Sequence, residues 1–332
     1  MPALIGGFGI IKIYKIQGAS NSRYTRLEYT PSLVFARITS SISNTINVTR
    51  EDKYNLECLR NKWGPYLSGL IEGDGSFAVH DKNSTAKRYL PKILIVFNLN
   101  DIPLVEKLIL ITEVGKLYKN KSGGHALWKI VSLKEVLIII NLINGYMRTP
   151  KIEGLHRAIH WINEHDNNSI PCLPLDQSSI DSNAWLSGFA LKRSSFCMND
   201  NNSKIILKFK LMFNVVIFKP DNELNILSGY SLIFAKISEY LDTDFSTKIK
   251  NNMGHKKCTF LVFAYMPKSK NKIIEYFGKF PLLGKVSLDY ELWREVVNVQ
   301  LSGKIDSTQL YKRLKKIQNK TSCLRRKQRV FL

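Results

Sequence analysis

One unit is written twice in this chain, and that repeat constrains the fold more than any other feature. Tyr66-Leu67-Ser68-Gly69 returns 119 residues later as Trp185-Leu186-Ser187-Gly188, and Ser76-Phe77 returns at the same spacing as Ser195-Phe196. Further on, residues 144–151 (NGYMRTPK) have a counterpart in 278–285 (GKFPLLGK), now 134 residues away, so the second copy is longer inside by 15 residues. A chain of 332 residues has room for two such units at ~150 residues per domain. Between them, 167–183 holds Pro171, Pro174 and several Ser and Asn, the composition of a linker.

Each copy reads as helix, strands, helix, strands, helix. Pro65 suits the first turn of a helix ending near Gly75. Phe77–His80 and Arg88–Asn98 read as strands, Ile102–Ile111 as helix, and Lys116–Lys121 with His125–Val131 as a hairpin around Ser122-Gly-Gly. Leu133–Leu142 and Ile152–Asn163 are helical in pattern. In the second copy Ile205, Leu207, Phe209 and Leu211 alternate with Lys204, Ile206, Lys208 and Lys210, a strand with one apolar face and one mostly lysine face. Near the C-terminus Leu310, Leu314 and Ile317 share one side of a helical pattern whose other sides are basic.

The charge balance then narrows the partners. Lys and Arg number 49 against 27 Asp and Glu, a net of +22. The excess is concentrated at the ends, which read as basic arms flanking a nearly balanced body. That favours a polyanion, nucleic acid before membrane, and argues against most small-metabolite chemistry. The five cysteines form no CxxC pair, and no apolar run reaches the ~18 residues of a membrane span. Lys204, Lys208 and Lys210 are candidate phosphate contacts on a sheet face.

Residues 67–75 read LSGLIEGDG. Gly69 and Gly73 lie four apart on one helix face, and small residues so spaced let a second helix approach closely. The last turn carries Glu72 and Asp74. Carboxylates at a helix C-terminus are misplaced by ~0.3–1 kcal/mol each when exposed. A compensating cation is therefore expected, either a divalent metal or a nearby lysine.

This stretch, with Ser-Phe after it and a degenerate copy one repeat later, resembles the LAGLIDADG family of homing endonucleases and intron maturases. RTPKIEGLHRAIHWIN (148–163) and YFGKFPLLGKVSLDYELW (276–293) extend the resemblance over roughly residues 54–317. It implies an α+β fold: a monomer of two pseudo-symmetric αββαββα units, with central motif helices and a saddle of two antiparallel sheets over duplex DNA. It implies divalent metal, Mg²⁺, held by the last acid of each motif. Carried over residue by residue, Asp74 is the metal-binding acid of the first motif. Gly69, Gly73 and Gly188 are helix-packing positions, and Lys151 and Lys285 are the catalytic basic residues flanking the metals.

The second motif departs from that pattern. At the 119-residue spacing, Glu72, Gly73 and Asp74 face Leu191, Lys192 and Arg193. An arginine remains protonated and binds no cation, but it can pair with Asp74 in the place of a metal. The expectation is a DNA-binding protein with Mg²⁺-dependent phosphodiester cleavage weakened or lost. The alternative is an RNA maturase that assists splicing of its host mitochondrial intron, a group I intron RNA being one candidate partner. The N-terminal MPALIGGFG resembles an internal segment of cytochrome c oxidase subunit 1, which suggests an exon remnant and a mitochondrial, matrix location. The expected organisation is an exon-derived basic arm (1–53), first repeat (54–166), linker (167–183), degenerate second repeat (184–317) and basic tail (318–332).

Other signals are set aside on spacing. His156, His160 and His165 sit near helical spacing, but no acid or cysteine completes a metal set. Trp128, Trp161, Trp185 and Trp293 read as core residues. Cys172 and Cys197 read as small apolar residues rather than nucleophiles.

Overall fold

The computed structural model describes residues 50–79, 90–120, 122–166, 168–201, 204–217, 223–252, 255–302 and 316. Two compact units divide at Glu57/Cys58. Of the smaller, Met1–Glu57, only the opening of one helix is described. The larger, Cys58–Leu332, carries both repeats. The N-terminal segment through residue 49 and the basic pattern around Leu310, Leu314 and Ile317 lie outside the described residues.

The first repeat runs α1 (Arg50–Asp74), β1 (Gly75–Ala78), β2 (Lys92–Asn98), α2 (Ile102–Thr112), β3 (Lys116–Asn120), β4 (His125–Ile130), α3 (Leu133–Ile143) and α4 (Ile152–His165). The second runs α5 (Trp185–Arg193), β5 (Ser194–Asn201), β6 (Lys204–Ile217), α6 (Glu223–Tyr240), β7 (Phe245–Asn252), β8 (His255–Ala264), α7 (Pro267–Lys279) and α8 (Lys285–Ser302). The sheets are β1-β2-β4-β3 and β5-β6-β8-β7, antiparallel throughout, so one strand order occurs twice. This is the expected α+β fold. The extra length of the second copy is spread over its elements: β6 has 14 residues where β2 has 7, and α6 has 18 where α2 has 11.

Pro65 corrects one expectation. It lies inside α1, not in its first turn. An interior proline removes one amide donor and crowds the carbonyl four residues back. Gly64 before it has no Cβ for the proline ring to meet, which eases the pre-proline clash. A side chain at Gly64 would in any case come within 2.3 Å of the Leu142 carbonyl.

Residues 64–73 of α1 and 185–191 of α5 are buried at every position. A helix apolar all round belongs at the centre of a fold. Each sheet turns its alternate residues inward: Ile93, Ile95 and Phe97 from β2, and Leu207, Phe209, Leu211 and Phe213 from β6. Trp128, Trp185 and Trp293 are fully buried, as expected. Trp161 is not; it is half-buried and stacks on His165 at 4.2 Å. Its place on α4 puts the ring at the edge of the buried stripe. Among the described residues no helix is long and apolar enough to cross a membrane.

The segment between the repeats is not a free tether. The Arg148 guanidinium, 1% exposed, donates to the Ser178 carbonyl and Asp176 carboxylate, both at 2.7 Å. Asn144 donates to the Pro171 carbonyl at 2.8 Å. Both anchors come from the 144–151 run, so the sequence that closes the first repeat also fixes the connection to the second.

Candidate active centre and nucleic-acid face

α1 and α5 touch through their glycines. A Cβ on Gly69 would lie 2.0 Å from the Trp185 carbonyl oxygen, and one on Gly188 would lie 2.0 Å from that of Tyr66. The contact is reciprocal, as two copies related by a pseudo-two-fold axis require. Gly73 is looser, 3.1 Å from the Phe189 carbonyl oxygen. Its counterpart in α5 is Lys192.

The end of α1 has no basic residue of its own in the last turn, and the cations come from elsewhere in the chain. Lys151 donates to the carbonyls of Ile71 (3.1 Å), Glu72 (2.8 Å) and Gly75 (2.9 Å), using all three ammonium protons. Burial pushes its pKa down to about 8, against the pull of Glu72 and Asp74. Arg193 adds two hydrogen bonds to the Gly73 carbonyl, at 3.0 and 2.7 Å. These are the ligands that carbonyls at a helix C-terminus attract.

Glu72 is fully buried. Its carboxylate accepts from the Arg148 and Thr149 amides at 2.9 and 2.6 Å, the Thr149 hydroxyl at 2.6 Å and the Trp185 indole N–H. Burial nevertheless raises its pKa to about 7, the donors offsetting only part of the lost hydration. Glu72 thus ties the first motif both to the 148–149 turn and, through Trp185, to the second motif.

Asp74 faces the other way. Arg193 meets its carboxylate at 2.6 Å and Lys192 at 3.5 Å, with the Asp74 side chain 14% exposed. Lys192 also donates to the Val96 carbonyl of β2 at 3.0 Å, and the Arg193 guanidinium lies 5.1 Å from the Phe213 ring centre on β6. The structure thus brings Asp74, Lys192, Arg193 and Lys151 together. It does not join Lys285 to them by any hydrogen bond or ion pair of the described residues. Lys285 opens α8, where its backbone N–H donates to Asp101 at 2.7 Å. Burial raises the Asp101 pKa while Lys285 and Lys192 draw it back.

Divalent ions of the Mg²⁺ kind take oxygen ligands, carboxylates above all. Here one motif offers a single carboxylate already neutralised by two cations, and the other offers a guanidinium. Among the described residues no group of three or more His, Cys, Asp or Glu is placed to hold a metal. The residues present do not fit a two-metal centre. The α4 histidines take separate partners: His156 donates to the Leu173 carbonyl, His160 lies 3.8 Å from the exposed Cys172 thiol, and His165 donates to the Trp161 carbonyl.

The outer sheet faces follow from strand register. On the first sheet Lys92, Lys116 and Lys129 share a face with Leu94, Val96 and Tyr118. On the second, Lys204, Lys208 and Lys210 of β6 share a face with Lys257 of β8 and with Lys248 and Lys250 of β7. The Lys204 side chain lies outside the described set, and its place rests on backbone register. The one carboxylate residue in the eight strands, Asp200, pairs with Ile205 and so belongs to the opposite face. By register, nine lysine positions and no acid fall on these two faces among the described strand residues.

Sequence reasoning missed several of these residues. Lys248, Lys250 and Lys257 were legible only as scattered lysines, because their common face depends on pairing across two strands. Asp101 gave no signal, since its partner is 184 residues away. Arg148 and Thr149 lay in the repeated run but showed no role until Glu72 was placed against them.

Comparison with known proteins agrees with this fold. The family model described as LAGLIDADG endonuclease matches residues 67–162 and 186–297. The chain is 33% identical to the intron-encoded DNA endonuclease aI3 of Saccharomyces cerevisiae, over 90% of this chain and 72% of that protein. It is 25% identical to an uncharacterized cox1 intron-2 protein of Schizosaccharomyces pombe, over 71% and 65%. Among solved structures, the homing endonuclease I-GzeII in complex with its DNA target superposes with a TM-score of 0.55 at 18% identity, covering 76% of this chain and 96% of that one. The meganuclease I-AabMI bound to uncleaved DNA gives 0.53 at 17%, covering 76% and 97%.

Proposed function

The chain belongs to the LAGLIDADG endonuclease family, and on that basis we propose that it is an intron-encoded protein that binds long duplex DNA sites through its two lysine faces, with phosphodiester cleavage lost or weakened. The observation that carries the binding half is the row of lysines on one face of each sheet, with no acid beside them among the described strand residues. Lysines spaced along strands neutralise successive phosphates, giving an affinity that falls steeply with salt. Solved relatives of the same fold hold DNA, which supports duplex over other polyanions.

The cleavage half rests on Arg193. An acid in each motif would leave two carboxylates facing the scissile phosphates. Here the pair is Asp74 and Arg193, joined to each other, and Lys151 is committed to the carbonyls of α1. Neither is free to move a proton or hold an attacking water without first breaking those bonds.

We assign 1–53 to an exon-derived arm, 54–166 and 184–317 to the two repeats, 167–183 to their connection and 318–332 to a basic tail. The protein acts as a monomer in the mitochondrial matrix. The oxidase-like N-terminus and the likeness to a cox1 intron protein support that placement.

The test is incubation of purified full-length protein and Mg²⁺ with intronless duplex spanning the codons for Gly6-Gly7-Phe8-Gly9. The expected result is retention of the duplex without a double-strand break, and cleavage regained in Arg193→Glu. A double-strand break by the unaltered chain, abolished in Asp74→Asn, would overturn the reading. So would retention of the host intron RNA in preference to the duplex, which points to the maturase alternative.

A further inference from the structure

Resting on the duplex-binding reading above, we propose that the joined ends of α1 and α5 are themselves a phosphodiester site, in which Arg193 and Lys192 supply the positive charge that divalent ions bring to a centre with an acid in each motif. The chain would then grip duplex DNA without divalent metal.

Four observations lead there. The first is charge. Around Asp74 stand Lys151, Lys192 and Arg193, while Glu72 is turned away toward the 148–149 turn. A centre with two acids repels phosphate until an ion intervenes; this one attracts it unaided.

The second is unused donors. The Nε and Nη2 protons of Arg193 go to Gly73 and Asp74. Its Nη1 protons have no partner among the described residues. Lys192 has two described partners for three protons. The one open arginine nitrogen and the ammonium, both beside the Asp74 carboxylate, can each donate to an oxygen of one phosphodiester.

The third is preorganisation. Arg193 is held by a carbonyl, a carboxylate and the Phe213 ring. Its ordering cost is met on folding rather than on binding.

The fourth is position. Lys192 reaches β2 of one sheet and Arg193 lies over β6 of the other, with 18% and 25% of their side chains exposed. Lys192 is thus tied to the backbone of one sheet and Arg193 to the inward face of the other, so the pair lies where the two sheets come together, partly open to a ligand that spans both. Lys151 contributes charge only, its protons being spent.

The test is equilibrium binding of the full chain to the same duplex, in chelator and in calcium at matched ionic strength. The unaltered chain should bind within about twofold in both conditions, its affinity set by lysine and arginine contacts alone. Arg193→Gln should weaken binding about tenfold and reduce the salt slope by about 1. Arg193→Glu should weaken it further in chelator and recover with calcium. Lys192→Gln repeats the test at a side chain away from the α1 carbonyls, and thermal unfolding shows that each variant is folded.

A tenfold gain for the unaltered chain on adding calcium would overturn the proposal while leaving duplex binding intact. An unchanged affinity and slope in folded Arg193→Gln would do the same. No binding in either condition would sink the duplex-binding reading itself, and this inference with it.

Discussion

Glu72 is fully buried, the half-buried Lys151 donates to its backbone carbonyl, and loss of hydration drives both side chains toward their neutral forms. The Glu72 pKa is raised to about 7 and that of Lys151 lowered to about 8. The folded state therefore binds more protons at Glu72 than the unfolded state does between about pH 4.5 and 7, so stability falls as pH rises through that window. At Lys151 the unfolded state binds more protons between about pH 8 and 10.5, so stability rises with pH there. Stability should pass through a minimum near pH 7 to 8, with the acid limb on the order of 3 kcal/mol. Denaturant unfolding across pH measures it, and Glu72→Gln should flatten the acid limb. The same substitution sets an amide against one of the N–H donors and should lower stability by about 1–3 kcal/mol. Trp185→Phe, which withdraws one donor, should act in the same direction by a similar amount.

The element that sets the geometry is the helix pair. At Gly69 and Gly188 a methyl group would meet backbone of the opposite helix at 2.0 Å, and backbone does not yield as a side chain would. Gly69→Ala or Gly188→Ala should each cost about 3 kcal/mol or more by forcing α1 and α5 apart. Gly278, inside α7 with nothing within 4 Å of a Cβ, is the control. Gly278→Ala should instead stabilise by up to about 1 kcal/mol through helix propensity. Thermal midpoints of the three variants distinguish the cases. The approach of α1 and α5 was legible in the spacing of the motif glycines. That Gly73 is only a loose contact was not, since its neighbour is set by the crossing of two helices.

For the whole molecule the governing quantity is charge arranged on two faces. Lys248, Lys250 and Lys257 line the second sheet beside the Lys208 and Lys210 that the β6 alternation reveals. Replacing these three with Gln should weaken duplex binding across sequences and lower the salt slope by about 2–3. Filter binding over a range of salt concentrations reads both. The fold should be untouched, because the side chains lie on the outer face of the sheet.

The sequence alone determined the duplication, the two central helices, the lysine alternation on β6 and the replacement of an acid by Arg193. All of these are local patterns or spacings between copies, and such information survives in one dimension. It also required a cation at the end of α1, from charge and helix direction alone. Only the tertiary structure decided which cations answered. Lys151 arrives from 80 residues away and Arg193 from 120, while Lys285 turns instead to Asp101. Contacts between distant segments depend on how helices cross and strands pair, and those angles and registers are fixed only when the core packs.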